Sequence, residues 1–173
     1  MTRSRNRRRS GLGQSLVEFT LVGIPIIFVL ISTFEISRGM WIYHTLAYSV
    51  KVGVRYASVH GINCAHVGGN PNDCLITIGQ VAQRIQFTGV GLDPAKTSLT
   101  FTPGGVTCTL AACAGNATIW PTNDSVVNAV GQPIRIDITT PFNSAIAMLW
   151  PGAKPVSFAS GTLGASSQDH IQY

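Results

Sequence analysis

Charge is scarce in this chain, and catalytic signatures are scarcer. Only 11% of the 173 residues are Asp, Glu, Lys or Arg, so the surface must rely on Ser, Thr, Asn and Gly, which suits assembly contacts better than electrostatic steering of a substrate. No Gly-x-Ser-x-Gly elbow, His-Glu-x-x-His pair or coherent nucleophile and base set is present. Gly89-Val90-Gly91 and Gly104-Gly105 lack the strand-turn-helix context of a phosphate loop and read as turns. His44 falls in a long helical stretch and His170 in the tail. The expectation is a protein that is not an enzyme and needs no cofactor and no metal.

The surplus of positive charge is confined to one end. Of twelve Lys and Arg, five precede Gly13: Arg3, Arg5, Arg7, Arg8 and Arg9. The other seven match the seven Asp and Glu in number, so the formal +5 belongs entirely to the leader and the remainder is neutral. A nucleic-acid partner would need a basic face on the folded part, and none is indicated.

Next comes an apolar run. Leu16 to Phe34 are nineteen residues with one charge, Glu18. At ~1.5 Å per residue they span about 28 Å, close to the ~30 Å hydrocarbon thickness of a bilayer. The arginines act as the topology signal. Positive charge before the span holds the N-terminus in the cytoplasm and sends the rest across. A secretory signal has a shorter apolar stretch and a small-residue cleavage site after it; here the run is long, and Thr33-Phe34-Glu35-Ile36 offers no Ala-x-Ala pattern. Pro25, with Gly23 nearby, should kink or open the membrane half.

The helical pattern continues beyond the membrane. Ile36, Met40, Tyr43, Ala47, Val50, Val54 and Ala57 recur at spacings of four and three, a packing seam. Ser49, Gly53 and Ala57 form a stripe of small side chains that lets another backbone approach closely. The seam fits the chain's own sheet or a neighbouring subunit. Three regions follow: a basic leader over 1–13, a long helix over 14–60 that spans the membrane in 16–34, and an exterior α+β domain over 61–173.

That domain reads as a small, mostly antiparallel sheet with a short helix. Leu75, Ile78, Val81, Ala82 and Ile85 have helical spacing. Strand candidates are Ser98–Thr102, Val106–Leu110, Ile134–Thr139 and Val156–Ala159. Cys64, Cys74, Cys108 and Cys113 all lie beyond the span and fit an oxidising compartment. Sequence-local bridges, Cys64–Cys74 and Cys108–Cys113, are preferred among three connectivities. A metal site of His60, Cys64, His66 and Cys74 is the rival, but it lacks the paired spacing of a structural zinc site. Asn116-Ala117-Thr118 and Asn123-Asp124-Ser125 match the glycosylation acceptor pattern and read as polar loops.

Gly13-Gln14-Ser15-Leu16-Val17-Glu18-Phe19, the apolar run with Pro25, Phe34-Glu35-Ile36-Ser37-Arg38 and Val52-Gly53-Val54-Arg55-Tyr56-Ala57 with Gly61 together resemble the TadE-like pseudopilins of the tight-adherence (Flp/Tad) pilus system. The resemblance covers the first third of the chain. It implies a bacterial inner-membrane pseudopilin, single-pass, with its C-terminal domain in the periplasm. A prepilin peptidase would cut between Gly13 and Gln14. Glu18 would register the mature subunit against another subunit's N-terminal amine. Partners would be the membrane, the peptidase, other pilin or pseudopilin subunits and the Tad assembly machinery. Gln14 departs from type IV pilins, which carry an aromatic first residue. The alternative from the residues alone is a signal-anchored periplasmic ligand-binding or adhesive domain that never enters a pilus.

Overall fold

Helix α1 runs unbroken from Ser10 to Ser58, through Pro25, in a computed structural model that describes residues 10–61, 75–121, 126–144 and 160–172. The helix thus begins before Gly13 and includes Gly11. The chain divides into two compact units after Arg38. The first is the membrane-side half of α1; the second, Gly39–Tyr173, contains the rest of α1 and everything after it.

In the second unit the core-facing stripe of α1 is Leu46, Ser49, Val50, Gly53, Val54, Ala57 and Ser58, all buried. This is the helical 3–4 spacing expected of a helix with one covered face. The anticipated seam holds in its C-terminal half only. Ile36, Met40 and Tyr43 are exposed, because apolar spacing records which side chains share a face but not whether anything covers it. Gly53 faces Ile85 and Val81 of α2 (Ile78–Thr88). A Cβ there would lie 2.6 Å from Ile85 Cγ1, inside van der Waals contact, so the missing side chain is what admits Ile85.

A Thr77/Gln80 capping box starts α2. The amides of Ile78 and Gly79 donate to the carbonyls of Thr118 and Asn116, both at 2.9 Å. Two first-turn amides without intrahelical partners are thereby satisfied by the 116–118 segment, so this acceptor-pattern loop docks by its backbone. Trp120 follows it, fully buried, edge-to-face on Phe101, with its indole N–H donating to the Pro103 carbonyl at 2.7 Å.

Strands β1 (Ser98–Thr102), β2 (Val106–Thr109), β3 (Pro133–Asn143) and β4 (Ser160–His170) form one antiparallel sheet in the order β2-β1-β3-β4. Gly104 and Gly105, both at positive φ, close the β1–β2 hairpin. Ile134, Ile136 and Ile138 of β3 and Leu99 and Phe101 of β1 alternate into the core with Val81, Ala82 and Ile85 of α2 and the α1 stripe. The opposite face carries Thr100, Thr107, Arg135 and Asp137.

Three sequence expectations change. The strand expected to include Leu110 stops at Thr109, whose hydroxyl accepts from the Ala112 amide and starts a short helix, α3 (Leu110–Cys113). The strict alternation at 134–139 extends over the whole of Pro133–Asn143. His170 is no tail residue: it ends β4, opposite Pro133. A strand built of Ser, Gly and Ala has little apolar alternation to announce it, and its inclusion follows from pairing with β3. Val156–Ala159 lies outside the described residues.

Replacing Gly53 by Val should cost about 1–3 kcal/mol through overpacking against Ile85, read as a lower melting temperature of the exterior domain. Adding Ile85→Ala should restore part of the loss. An unchanged melting temperature for Gly53→Val would mean that the contact is not close.

Candidate functional site

The residues singled out for processing and registration sit on the first turns of α1. A Cβ on Gly13 would meet nothing within 4 Å, so the Gly13–Gln14 bond is sterically open, although it lies within helix. Gln14 and Glu18 are one turn apart; the Gln14 amide donates to Glu18 Oε1 at 3.2 Å, and both side chains are exposed. The lone carboxylate therefore has an i, i+4 partner within its own helix. The topology arginines, Arg3, Arg5, Arg7, Arg8 and Arg9, lie outside the described residues.

From Leu16 to Phe34 the large apolar side chains stand exposed on every side, with Phe19 at 77% and Phe34 at 68%. A helix that is apolar all round is one that lipid or other helices surround. The stretch is long and apolar enough to cross a membrane once, with a mean hydropathy of 2.2 over its best window. Thr20 and Thr33 satisfy their hydroxyls on the carbonyls of Val17 and Val29, which lets two polar side chains sit in the span at low cost. Single-pass anchoring through α1 follows from these properties.

Glu35 enters the sequence pattern only as part of the Phe34-Glu35-Ile36-Ser37-Arg38 motif, which gives no sign that its side chain is buried. It is 7% exposed, and neither carboxylate oxygen has a hydrogen-bond partner among the described residues. Arg38, one turn on, pairs with it at 3.8 Å. A buried carboxylate with one long ion pair is costly. The available signal was its position, directly after the apolar run, where side chains meet a change of surroundings.

Ser49, Gly53 and Ala57 are buried within the exterior domain, Gly53 under Ile85 of α2. Cys108 and Cys113 form a disulfide with a Cα separation of 5.5 Å, joining β2 to the end of α3. Cys64 and Cys74, and with them the other expected bridge and most of the rival metal set, lie outside the described residues. His60 of that set stacks on Tyr56 at 4.6 Å between ring centroids, with Nδ1 2.6 Å from the Tyr56 carbonyl. The Arg84 guanidinium also lies 5.0 Å over the Tyr56 ring. Among the described residues no group of three His, Cys, Asp or Glu side chains gathers to hold a metal. Across the exposed sheet face, Arg135 and Asp137 pair at 2.6 Å, and the bond to Asp137 holds the guanidinium above its usual range.

Glu35→Gln should leave the melting temperature unchanged or raise it, since a neutral amide loses less on burial than a carboxylate. A clear drop would reveal a cationic partner stronger than Arg38. Reducing Cys108–Cys113 should cost about 2 kcal/mol by the loop-closure relation for so short a loop, seen as a lower midpoint in denaturant.

No curated protein and no solved structure matches the chain. Residues 13–55 match the model of the TadE-like protein family. The match covers the open glycine, the Gln14–Glu18 turn, the exposed apolar span and the start of the core-facing stripe, and it ends within α1. Over residues 13–55, about a quarter of its length, the chain is therefore similar to the TadE-like protein family.

Proposed function

We propose that this chain is a membrane-anchored pseudopilin, cut after Gly13, that supports assembly, priming or tip formation of a Tad/Flp-type pilus and catalyses no reaction. The observation carrying this reading is the coincidence of the TadE-like match with an α1 half exposed and apolar on every side. Such a surface is equally at home in lipid and against other apolar helices, so transfer from membrane to filament exchanges one apolar environment for another at little net cost.

Glu18 gives that transfer its register. Cleavage between Gly13 and Gln14 would leave a cationic amine one turn before the carboxylate. The exposed Glu18 can exchange its weak bond from the Gln14 amide for another subunit's amine once water is excluded, and in hydrocarbon an unpaired carboxylate costs a few kcal/mol or more. Subunits slipped along the helix axis would leave it unpaired, so the cost falls on the wrong registers. The leader orients insertion before the cut, in the bacterial inner membrane with the exterior domain periplasmic. Its removal strips the whole net positive charge from the chain. The nearly neutral exterior domain, with four Lys and Arg against five Asp over 61–173, then approaches identical copies without strong repulsion. The second reading, an anchored periplasmic binding or adhesive domain, has the open polar face of the sheet in its favour.

N-terminal sequencing of membrane-extracted protein separates the two. A start at Gln14 is expected; a start that keeps the arginines would support the anchored binding domain. Glu18→Ala should leave protein level and membrane insertion intact while lowering piliation by at least tenfold, the equivalent of about 1.4 kcal/mol. Normal piliation in that variant would remove Glu18 from the mechanism.

A further inference from the structure

The two edges of the sheet are built differently. Edge strand β2 has four residues, and Thr109 turns it at once into α3, which the Cys108–Cys113 bridge ties back. That is a short, closed edge of the kind that resists pairing. Edge strand β4 has eleven residues in unbroken register with β3, from Pro133 opposite His170 to Asn143 opposite Ser160. It contains no Lys, Arg or Pro, and no bulge interrupts it. Among the described residues, no strand pairs with its outer side.

The phase of the ladder tells which backbone groups face outward. Pro133 and Pro141 of β3 stand opposite His170 and Thr162. Proline has no N–H, so these are the non-hydrogen-bonded pairs of the antiparallel ladder, and even-numbered β4 residues direct their N–H and C=O away from β3. Both neighbours of this pattern agree with it. The Ile171 amide points inward, donating to the Gln132 carbonyl at 3.0 Å, whereas the His170 amide does not join the ladder and donates to the Asp169 carboxylate at 2.9 Å. Thr162, Gly164, Ser166 and Gln168 therefore offer a continuous outward row of donors and acceptors.

We propose that this row is an assembly edge, and that its occupant is β4 of a second copy of the chain, paired antiparallel across a two-fold axis. Charge selects the occupant's direction. The one acid of β4 is Asp169; parallel pairing would set the two Asp169 carboxylates side by side, which is unfavourable, whereas antiparallel pairing separates them by most of the strand. End-to-end overlap places Ser160 opposite His170, Asp169 opposite Gly161 and Ala165 opposite Ala165 of the other copy. The small outward neighbours, Gly161, Gly164 and Ser166, put no bulk in the way. An isologous contact of this kind uses the same patch twice and closes on itself. One strand pair buries less than the ~1,200 Å² of a stable interface, so the contact is weak between free molecules and gains its strength from tethering both copies in one membrane. The inference goes beyond the proposed pilus role and does not depend on cleavage at Gly13.

The test uses the full chain in its membrane. Ala165 faces its symmetry mate in a non-hydrogen-bonded pair, at a Cβ separation of ~4.5–5.5 Å, close enough for bridging with a small adjustment. Mild oxidation of Ala165→Cys should give a disulfide-linked dimer that the unsubstituted chain, treated identically, does not give. Adding Ser166→Pro removes one outward N–H while leaving the β3 ladder whole, and should abolish the dimer; adding Ser166→Ala should keep it. Thr162→Pro repeats the block at a second outward position, and melting curves confirm that the proline variants are folded. Failure of Ala165→Cys to cross-link, cross-linking to a different polypeptide instead, or a dimer that survives in a folded proline variant would each overturn the proposal.

Discussion

The burial of Leu46, Val50, Val54 and Ala57 against the sheet and α2 is the contact on which the second unit, Gly39–Tyr173, depends. Each fully buried aliphatic side chain of this size contributes roughly 1.5–3 kcal/mol, and together they fasten the domain to the helix that carries the membrane span. Gly53 sets how close the fastening is, because only a missing Cβ lets Ile85 reach the helix backbone. One helix thus has two surface chemistries in series, apolar on every side as far as Phe34 and striped from Leu46 to Ser58.

Most polar groups around that core are satisfied, although the buried Asn128 Oδ1 has no hydrogen-bond partner among the described residues. The carbonyls of 116–118 meet the first amides of α2, the Trp120 indole finds the Pro103 carbonyl, and the Gln172 amide caps the Ser58 carbonyl at the end of α1 at 2.9 Å. Against this background Glu35 stands out, because it is buried with only a long ion pair. It marks the passage between the two chemistries of α1.

Much of the fold was legible from local patterns. The span was readable because a nineteen-residue, largely apolar run with one charge leaves few alternatives, β3 because Ile134, Ile136 and Ile138 alternate with polar neighbours, and α2 because its apolar residues keep helical spacing. What was not legible depended on distant partners. Nothing in Ser160–His170 announces a strand until β3 lies beside it. Leu110 looked like a strand residue until the Thr109 hydroxyl was seen to cap a helix. Ile36, Met40 and Tyr43 have the spacing of a buried seam, but no described element covers them.

Sequence alone therefore determined the apolar span, the N-terminal segment that resembles the TadE-like family and the α+β class, since length of an apolar run and short-range periodicity are properties of neighbours along the chain. Tertiary structure decided which part of α1 is buried, that Gly53 admits Ile85 and that, among the described residues, Glu35 has no hydrogen-bond partner and β4 ends the sheet with its amides outward. Those depend on atoms many residues apart reaching a few ångströms of one another, and no local pattern records such distances.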